Sequence, residues 1–213
     1  MVTAPGAVGS LVDGTTDPWL NVLVPEGPGV DLGAALATVG DSPVAVFACG
    51  RRQSAAAQAA GFGELVARQA SMGVELPLVG APPAGIEQGV DLAAVGAIND
   101  RAYGNAEPDI EHALARLPAS VVHAYGRRDE HGALVSVALA HDHEDDTGVQ
   151  YVATDPAARR AGHAGAVLRG ALADAAGRGA RTSTLTASEQ GRPLYERLGY
   201  RVIGTVELRR RPG

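Results

Sequence analysis

The segment YVATDPAARRAGHAGAVL, residues 151–168, limits the folds open to this chain more than any other stretch. It reads as a β-strand that runs through Asp155-Pro156 and a string of small and basic residues straight into an amphipathic helix. A loop of that composition at a helix N-terminus is an anion cradle. Its successive backbone N–H groups add to the positive end of the helix dipole, and together they suit a pyrophosphate. Gly162 and Ala164 keep bulk away, so that phosphates can approach the backbone. No Gly-Lys-Ser/Thr follows, which excludes a Walker-type phosphate loop.

The elements around this segment follow from apolar period and stop signals. Residues 1–20 are rich in Gly, Thr, Asp and Pro, show no period, and read as an irregular lead-in. Over residues 21–80 the order is β-α-β-α-β, a small α/β domain. NVLVP is a strand, DLGAALATVG a helix opened by Asp31 and closed by Gly40, and VAVFACG a buried strand holding Cys49 as a small core residue. A helix capped by Ser54 and stopped at Gly61 precedes an extended stretch to about Leu78.

VGAPPAG reads as a linker, which places a boundary near Gly80 to Ala84 and a second domain over 84–213. There GIEQGV is a strand and DLAAVGAINDRAYG a helix capped by Asp91, with Leu92, Val95, Ile98 and Ala102 on one side. EPDIEHALARL is a short helix. Three antiparallel strands follow, about 121–127, 133–140 and 149–154, joined by the turns RDEHG and HDHEDDTG. A helix over about 162–176 buries Val167, Leu168, Ala171, Leu172 and Ala175 and stops at Gly177 and Gly179. TSTLTA is a strand, RPLYERLGY a short helix and RVIGTVEL the last strand.

Arg159-x-x-Gly162-x-Ala164 after a strand resembles the acetyl-CoA motif of the GNAT superfamily of N-acetyltransferases, and LYERLGY, Leu194 to Tyr200, resembles that family's second C-terminal signature. The resemblance implies an α/β (α+β) fold with a mixed, largely antiparallel twisted sheet flanked by helices, here preceded by a smaller α/β half. It implies acetyl-CoA as co-substrate. Val152, Ala153 and Thr154 would pair with the pantetheine arm and the acetyl carbonyl through backbone groups. An N–H aimed at that carbonyl would also stabilise the oxyanion of the tetrahedral intermediate. Arg159 belongs to the motif, and Arg160, Ala161, Gly162, His163, Ala164 and Gly165 would hold the pyrophosphate, His163 facing either solvent or the phosphates. Tyr195 falls where many members protonate the departing CoA thiolate, and a phenol with pKa of about 10 stays protonated at neutral pH. Ser188 stands where many members place a CoA-contacting Asn, and its hydroxyl can still hydrogen-bond.

The implied reaction is acetyl transfer to a primary amine by direct attack in a ternary complex, a small-molecule acceptor being favoured over a protein terminus. A non-catalytic acyl-CoA-binding module is the alternative. The general base varies within the family; Glu107, Asp109, Glu111 and His123 are the candidates. The acidic cluster from His141 to Asp146 reads as a solvated turn rather than a metal site.

Bulk properties exclude other classes. A formal charge of -6 argues against a nucleic-acid partner. All eighteen basic residues are arginine, which reads first as codon bias. The single cysteine excludes an intrachain disulfide and fits a reducing compartment. No apolar run suits a membrane span and no signal peptide is legible, so a cytoplasmic protein is expected. An exposed last strand leaves a homodimer open. Superposing Gly61 on Gly199 pairs Phe62 with Tyr200 and Ala57 with Tyr195, so the first half resembles a degenerate GNAT-like repeat without the acid and without a cradle.

Overall fold

The computed structural model describes residues 2–5, 7–11, 18–27, 30–40, 44–78 and 80–211. The chain packs as two units. The first takes Met1–Ser71, Thr186–Gln190 and Val202–Gly213; the second takes Met72–Leu185 and Gly191–Arg201.

In the first unit, β1 (Val2–Ala4) and β2 (Ala7–Ser10) form an antiparallel hairpin inside the stretch expected to be irregular. The strands are too short to show a period in sequence, yet Ala7 is fully buried and packs with Ala4 and Ala35. Residues 12–17 of that stretch lie outside the described ones. β2 pairs antiparallel with β3 (Val22–Pro25), and β3 pairs parallel with β4 (Ala45–Cys49). β4 is bordered antiparallel by β11 (Arg201–Arg210), with Leu208 opposite Phe47. Helix α1 (Leu32–Val39) starts where Asp31 accepts from the Gly33 amide at 2.9 Å, and Gly40 ends it at φ 60°.

Helix α2 (Gly50–Ala59) begins before the expected cap. Gly50, at φ 72°, turns the chain from β4 directly into the helix. Ser54 therefore lies within α2 and is buried, with its hydroxyl on the Glu207 carboxylate. The Cys49 amide donates to Gln53 Oε1 at 2.7 Å, and Cys49 itself is exposed at the strand end instead of sitting in the core. Phe62, Val46, Ala48, Ala57 and Leu32 make the apolar centre of this unit. β5 (Glu64–Glu75) leaves the first unit after Ser71.

The second unit carries β6 (Glu87–Gln88), α3 (Leu92–Tyr103), α4 (Asp109–Ala115), β7 (His123–Arg128), β8 (Leu134–His143), β9 (Asp146–Thr154), α5 (His163–Arg178), β10 (Thr182–Ala187) and α6 (Arg192–Arg197). This is the element order expected from sequence except for the last strand, β11, which packs with the first unit. The strands lie in the order β10-β9-β8-β7-β6, antiparallel except for the parallel β9–β10 pair. Alternate residues face opposite sides. Ala124, Val137, Leu139 and Ala153 pack against α3 and α4, whereas Tyr125, Ala138 and Ala140 pack against α5. The five α5 residues expected to be buried all have no exposed surface. That helix continues through Gly177 and stops only at Gly179, at φ 112°.

β8 and β9 also run further than expected, because paired strands continue to His143 and Asp146 and leave a turn of only Glu144 and Asp145. The acidic cluster is consequently spread over two strands. Asp142 binds Arg178 and Thr147, while Asp146 accepts from Thr182 and Thr184. α3 and α4 cross closely at Gly96, where a Cβ would stand 2.3 Å from Glu111 Cα. Asp100, buried in α3, accepts from the Glu111 amide at 2.9 Å and the Ile110 amide at 3.3 Å, so it caps α4 from the neighbouring helix.

α2 and α6 end alike. Gly61 and Gly199 have φ of 93° and 94°, and the next amide reaches back to Ala57 (2.9 Å) and Tyr195 (3.1 Å) respectively. Such left-handed helix stops are common, so this likeness does not make the first unit a copy of the second.

Candidate functional site

The site in the second unit is built where β9 outlasts its pairing with β10. The parallel register runs from Thr182↔Asp146 to Leu185↔Val149 and ends there, while β9 continues through Gln150 to Thr154. On its other edge β9 bulges. Val137 opposes Ala153 and Leu139 opposes Gln150, so Tyr151 and Val152 together stand opposite Ala138. Tyr151 takes the extra turn at φ 50°. Its carbonyl accepts from Asn99 Nδ2 of α3 at 3.2 Å. The end of the strand is fixed by Ser136, whose hydroxyl lies 3.1 Å from the Ala153 carbonyl and 2.9 Å from Thr154 Oγ1.

The cradle then follows. Asp155 caps a 3-10 turn over Pro156–Ala158 by accepting from the Ala157 amide at 3.1 Å. The Arg101 guanidinium hydrogen-bonds its other oxygen at 3.0 Å and is the main cause that holds its carboxyl below the usual range. Arg159 turns back: its guanidinium donates to the Ala102 carbonyl near the end of α3 and to the Thr154 carbonyl. The loop is thereby tied to the C-terminal turn of α3, where carbonyls lack helical partners. Arg160 at φ 67° and Gly162 at φ 79° bend the backbone into α5, whose first turn holds His163, Ala164 and Gly165. The amides of that turn have no helical acceptor and carry the positive end of the dipole. Among the described residues, His163 Nδ1 is buried without a hydrogen-bond partner. Arg160, Ala161 and Gly162 are exposed.

α6 lies against this turn, with Leu194 Cδ1 placed 3.5 Å from where a Gly165 Cβ would be. The next residue, Tyr195, is 8 % exposed and stands edge-on to Tyr200. Burial, and secondarily the Tyr103 phenol, push its hydroxyl well above the ordinary value. Val152 to Gly165 and Tyr195 thus share one unit, whereas Ser188 belongs to the segment Thr186–Gln190 that packs with the first.

The base candidates separate. Asp109 and Glu111 lie in the first turn of α4, Glu107 in the loop before it. His123 faces Ala140 on β8, while the cradle end of β9 faces Ser136, so His123 is at the other end of the sheet. It stands 3.3 Å from Asp142, whose carboxyl is held down to about 2 chiefly by the Arg178 hydrogen bond. Sequence reading missed the Asn99–Tyr151 contact. Its one sequence signal is an asparagine at the position after Ile98, one turn from Val95, on an apolar helix face.

The family model of the acetyltransferase (GNAT) domain matches residues 145–203, which contain the strand end, the cradle and Tyr195. A comparison with curated proteins gives no match. Among solved structures, a GCN5-related N-acetyltransferase from Kribbella flavida is 26 % identical with a TM-score of 0.67, over 100 % of this chain and 89 % of that one. A GCN5-related N-acetyltransferase from Sphaerobacter thermophilus is 22 % identical with a TM-score of 0.57, over 80 % of this chain and 61 % of that one. A GNAT-family acetyltransferase from Novosphingobium aromaticivorans is 22 % identical with a TM-score of 0.54, over 70 % and 68 %. The fold is that of the GNAT acetyltransferases. Within it, residues 145–203 match the model of their acetyltransferase domain.

Proposed function

We propose that the protein is an N-acetyltransferase that moves the acetyl group of acetyl-CoA to a primary amine of a small molecule, with residues 84–213 as the transferase domain. The observation that carries this reading is the continuous run from the free end of β9 through the strained cradle into the first turn of α5. The pyrophosphate would lie on the amides of Arg160 to Gly165, and the pantetheine and acetyl carbonyl along Val152, Ala153 and Thr154. Arg159 supports the cradle through its bonds to the Ala102 and Thr154 carbonyls.

The amine nitrogen attacks the thioester carbon, and the carbonyl electrons move to oxygen, where a β9 amide stabilises them. Collapse breaks the carbon–sulfur bond, the Tyr195 hydroxyl gives its proton to the leaving thiolate, and the proton lost by the attacking nitrogen goes to solvent, from which the phenol regains one. Direct attack is favoured because residues 145–203, which carry the family match, contain no cysteine to take up the acetyl group. The proposed reaction uses no metal. None of the described helices is long and apolar enough to cross a membrane.

Thermal-shift titration with acetyl-CoA, CoA and ATP on the wild type and on Gly162→Glu tests the reading, since a ligand specific to the folded state raises the melting temperature. Stabilisation of the wild type alone by acetyl-CoA and CoA is expected. Thiol release with a panel of amines follows. A binding module would be stabilised without releasing thiol, and no stabilisation at all would remove acetyl-CoA from the account.

A further inference from the structure

Asn99 is the polar residue in the interior of the second unit least explained by packing. It has no exposed surface, lies one turn from Val95 on the core face of α3, and its Oδ1 has no hydrogen-bond partner. A buried amide with an unsatisfied oxygen is a liability for stability. Its Nδ2 bond to the Val95 carbonyl, 2.9 Å, duplicates an acceptor that the helix ladder already uses. Its second bond runs to the Tyr151 carbonyl at 3.2 Å. That carbonyl belongs to the residue at φ 50° which forms the β9 bulge, a conformation that non-glycine residues rarely adopt.

We propose that Asn99 is a positioning residue that fixes the bulge peptide and so aims the Val152 N–H at the thioester carbonyl of acetyl-CoA. The inference rests on the acetyl-CoA reading above. The Tyr151–Val152 peptide is trans. In a trans peptide the carbonyl of one residue and the N–H of the next point in opposite directions. Holding the Tyr151 oxygen toward α3 therefore turns the Val152 N–H away from α3. That peptide lies just beyond Val149, the last β9 residue in register with β10. Without the Asn99 donor, Tyr151 can relax toward ordinary strand geometry, and the peptide rotates with it. The unpaired Oδ1 is the cost of keeping a donor at this point of an apolar face.

The test is the carbonyl resonance of [1-13C]acetyl-CoA bound to the wild type and to Asn99→Leu, together with the affinity of each for CoA. A hydrogen bond to the thioester oxygen moves that resonance downfield. The wild type is expected to show the shift; the variant is expected to bind CoA as the wild type does and to return the resonance toward its free position. A purely structural role would lower the melting temperature or weaken CoA and acetyl-CoA together, with the bound resonance unchanged. If the leucine variant fails to fold, Asn99→Asp serves, since it keeps the shape and replaces the donor by an acceptor. A wild-type resonance in the folded variant overturns this inference alone. A wild type that binds neither CoA nor acetyl-CoA overturns the acetyl-CoA reading and this inference with it.

Discussion

Tyr195 and Tyr200 meet edge to face, their ring centroids 6.0 Å apart at 69°, and both are buried. The two hydroxyls are differently placed. That of Tyr200 lies 2.7 Å from the buried Ser183 hydroxyl, which also donates to the Thr147 carbonyl at 2.9 Å. Tyr200 is thus tied into the sheet and sets the ring against which Tyr195 stands. Tyr195→Phe keeps that ring contact and removes only the oxygen, so acetyl transfer is expected to fall by about a hundredfold or more. Affinity for acetyl-CoA and the melting temperature should stay near wild type. Steady-state kinetics beside a binding titration check this; an unchanged kcat would remove Tyr195 as the acid.

Alkaline pH should weaken the fold through the same residues. Burial raises the phenols of Tyr195, Tyr200 and Tyr125 above the ordinary value, with the Asp174 hydrogen bond adding to the rise at Tyr125. The folded state therefore holds these protons more tightly than the unfolded chain does. Their contribution is fully present below about pH 10, the unfolded value, and is lost as pH rises beyond it toward the folded values. Denaturant midpoints measured from pH 8 upward should be flat and then fall, and Tyr200→Phe should fall less steeply.

Local signals in the sequence located most elements, because caps and stops are decided within one turn of chain. Asp31 and Asp91 accept the helix amides expected of them, and Gly104, Gly179 and Gly199 take left-handed backbone at helix ends. The passage from strand through loop to helix over residues 151–168 was legible for the same reason, being one continuous segment. What escaped depended on distant partners. Ser54 resembled a cap but binds Glu207, far along the chain, and β4 is bordered by the last strand of the chain. The bulge at Tyr151 carries no glycine to announce it, and its partner Asn99 is a whole helix and several strands away in sequence.

Gly96 offers a test of the α3–α4 packing, in the helix that also carries Asn99. Alanine there gains about 1 kcal/mol in helix propensity. The new Cβ would meet backbone atoms of Ile110 and Glu111 at 2.3–2.8 Å, which a side-chain rotation cannot relieve. Overpacking of about 1–3 kcal/mol should therefore win at the upper end of its range. Gly96→Ala is expected to lower the melting temperature, and an unchanged or higher value would show that the two helices can separate freely.

Arg159 ties the cradle loop to α3, so its loss should act on affinity before stability. Its guanidinium donates to the Ala102 and Thr154 carbonyls at an exposed position. Arg159→Ala should weaken CoA binding by about tenfold, the equivalent of one charge-assisted contact of about 1.4 kcal/mol. Arg159→Lys keeps the charge but cannot span both carbonyls, and should recover only part of the loss. Calorimetric titration with CoA checks both, and full affinity in the alanine variant would leave the backbone amides as sufficient by themselves.

Acid should act on the first unit through Glu207. Its carboxylate accepts from the Ser54 hydroxyl, from Arg68 at 2.7 and 3.0 Å and from Arg209 at 2.8 Å, and these bonds, that of Ser54 first, hold its pKa down to about 2. Glu207 is 9 % exposed and Arg209 6 %, so solvent screens their pair little, whereas Arg68 is well exposed and adds less. A depressed carboxyl stabilises the fold above its unfolded value, and that share is lost as pH falls from about 4.5 toward about 2. On the order of 2 kcal/mol should disappear over that window. Glu207→Gln is expected to lower stability at neutral pH, because it leaves buried Arg209 without its counter-charge, and to flatten the acid dependence below pH 4.5. Denaturant unfolding of both proteins between pH 3 and 7 distinguishes the outcomes; a variant with the wild-type acid slope would assign that slope to other carboxylates, of which Asp142 with Arg178 is the next most strongly depressed.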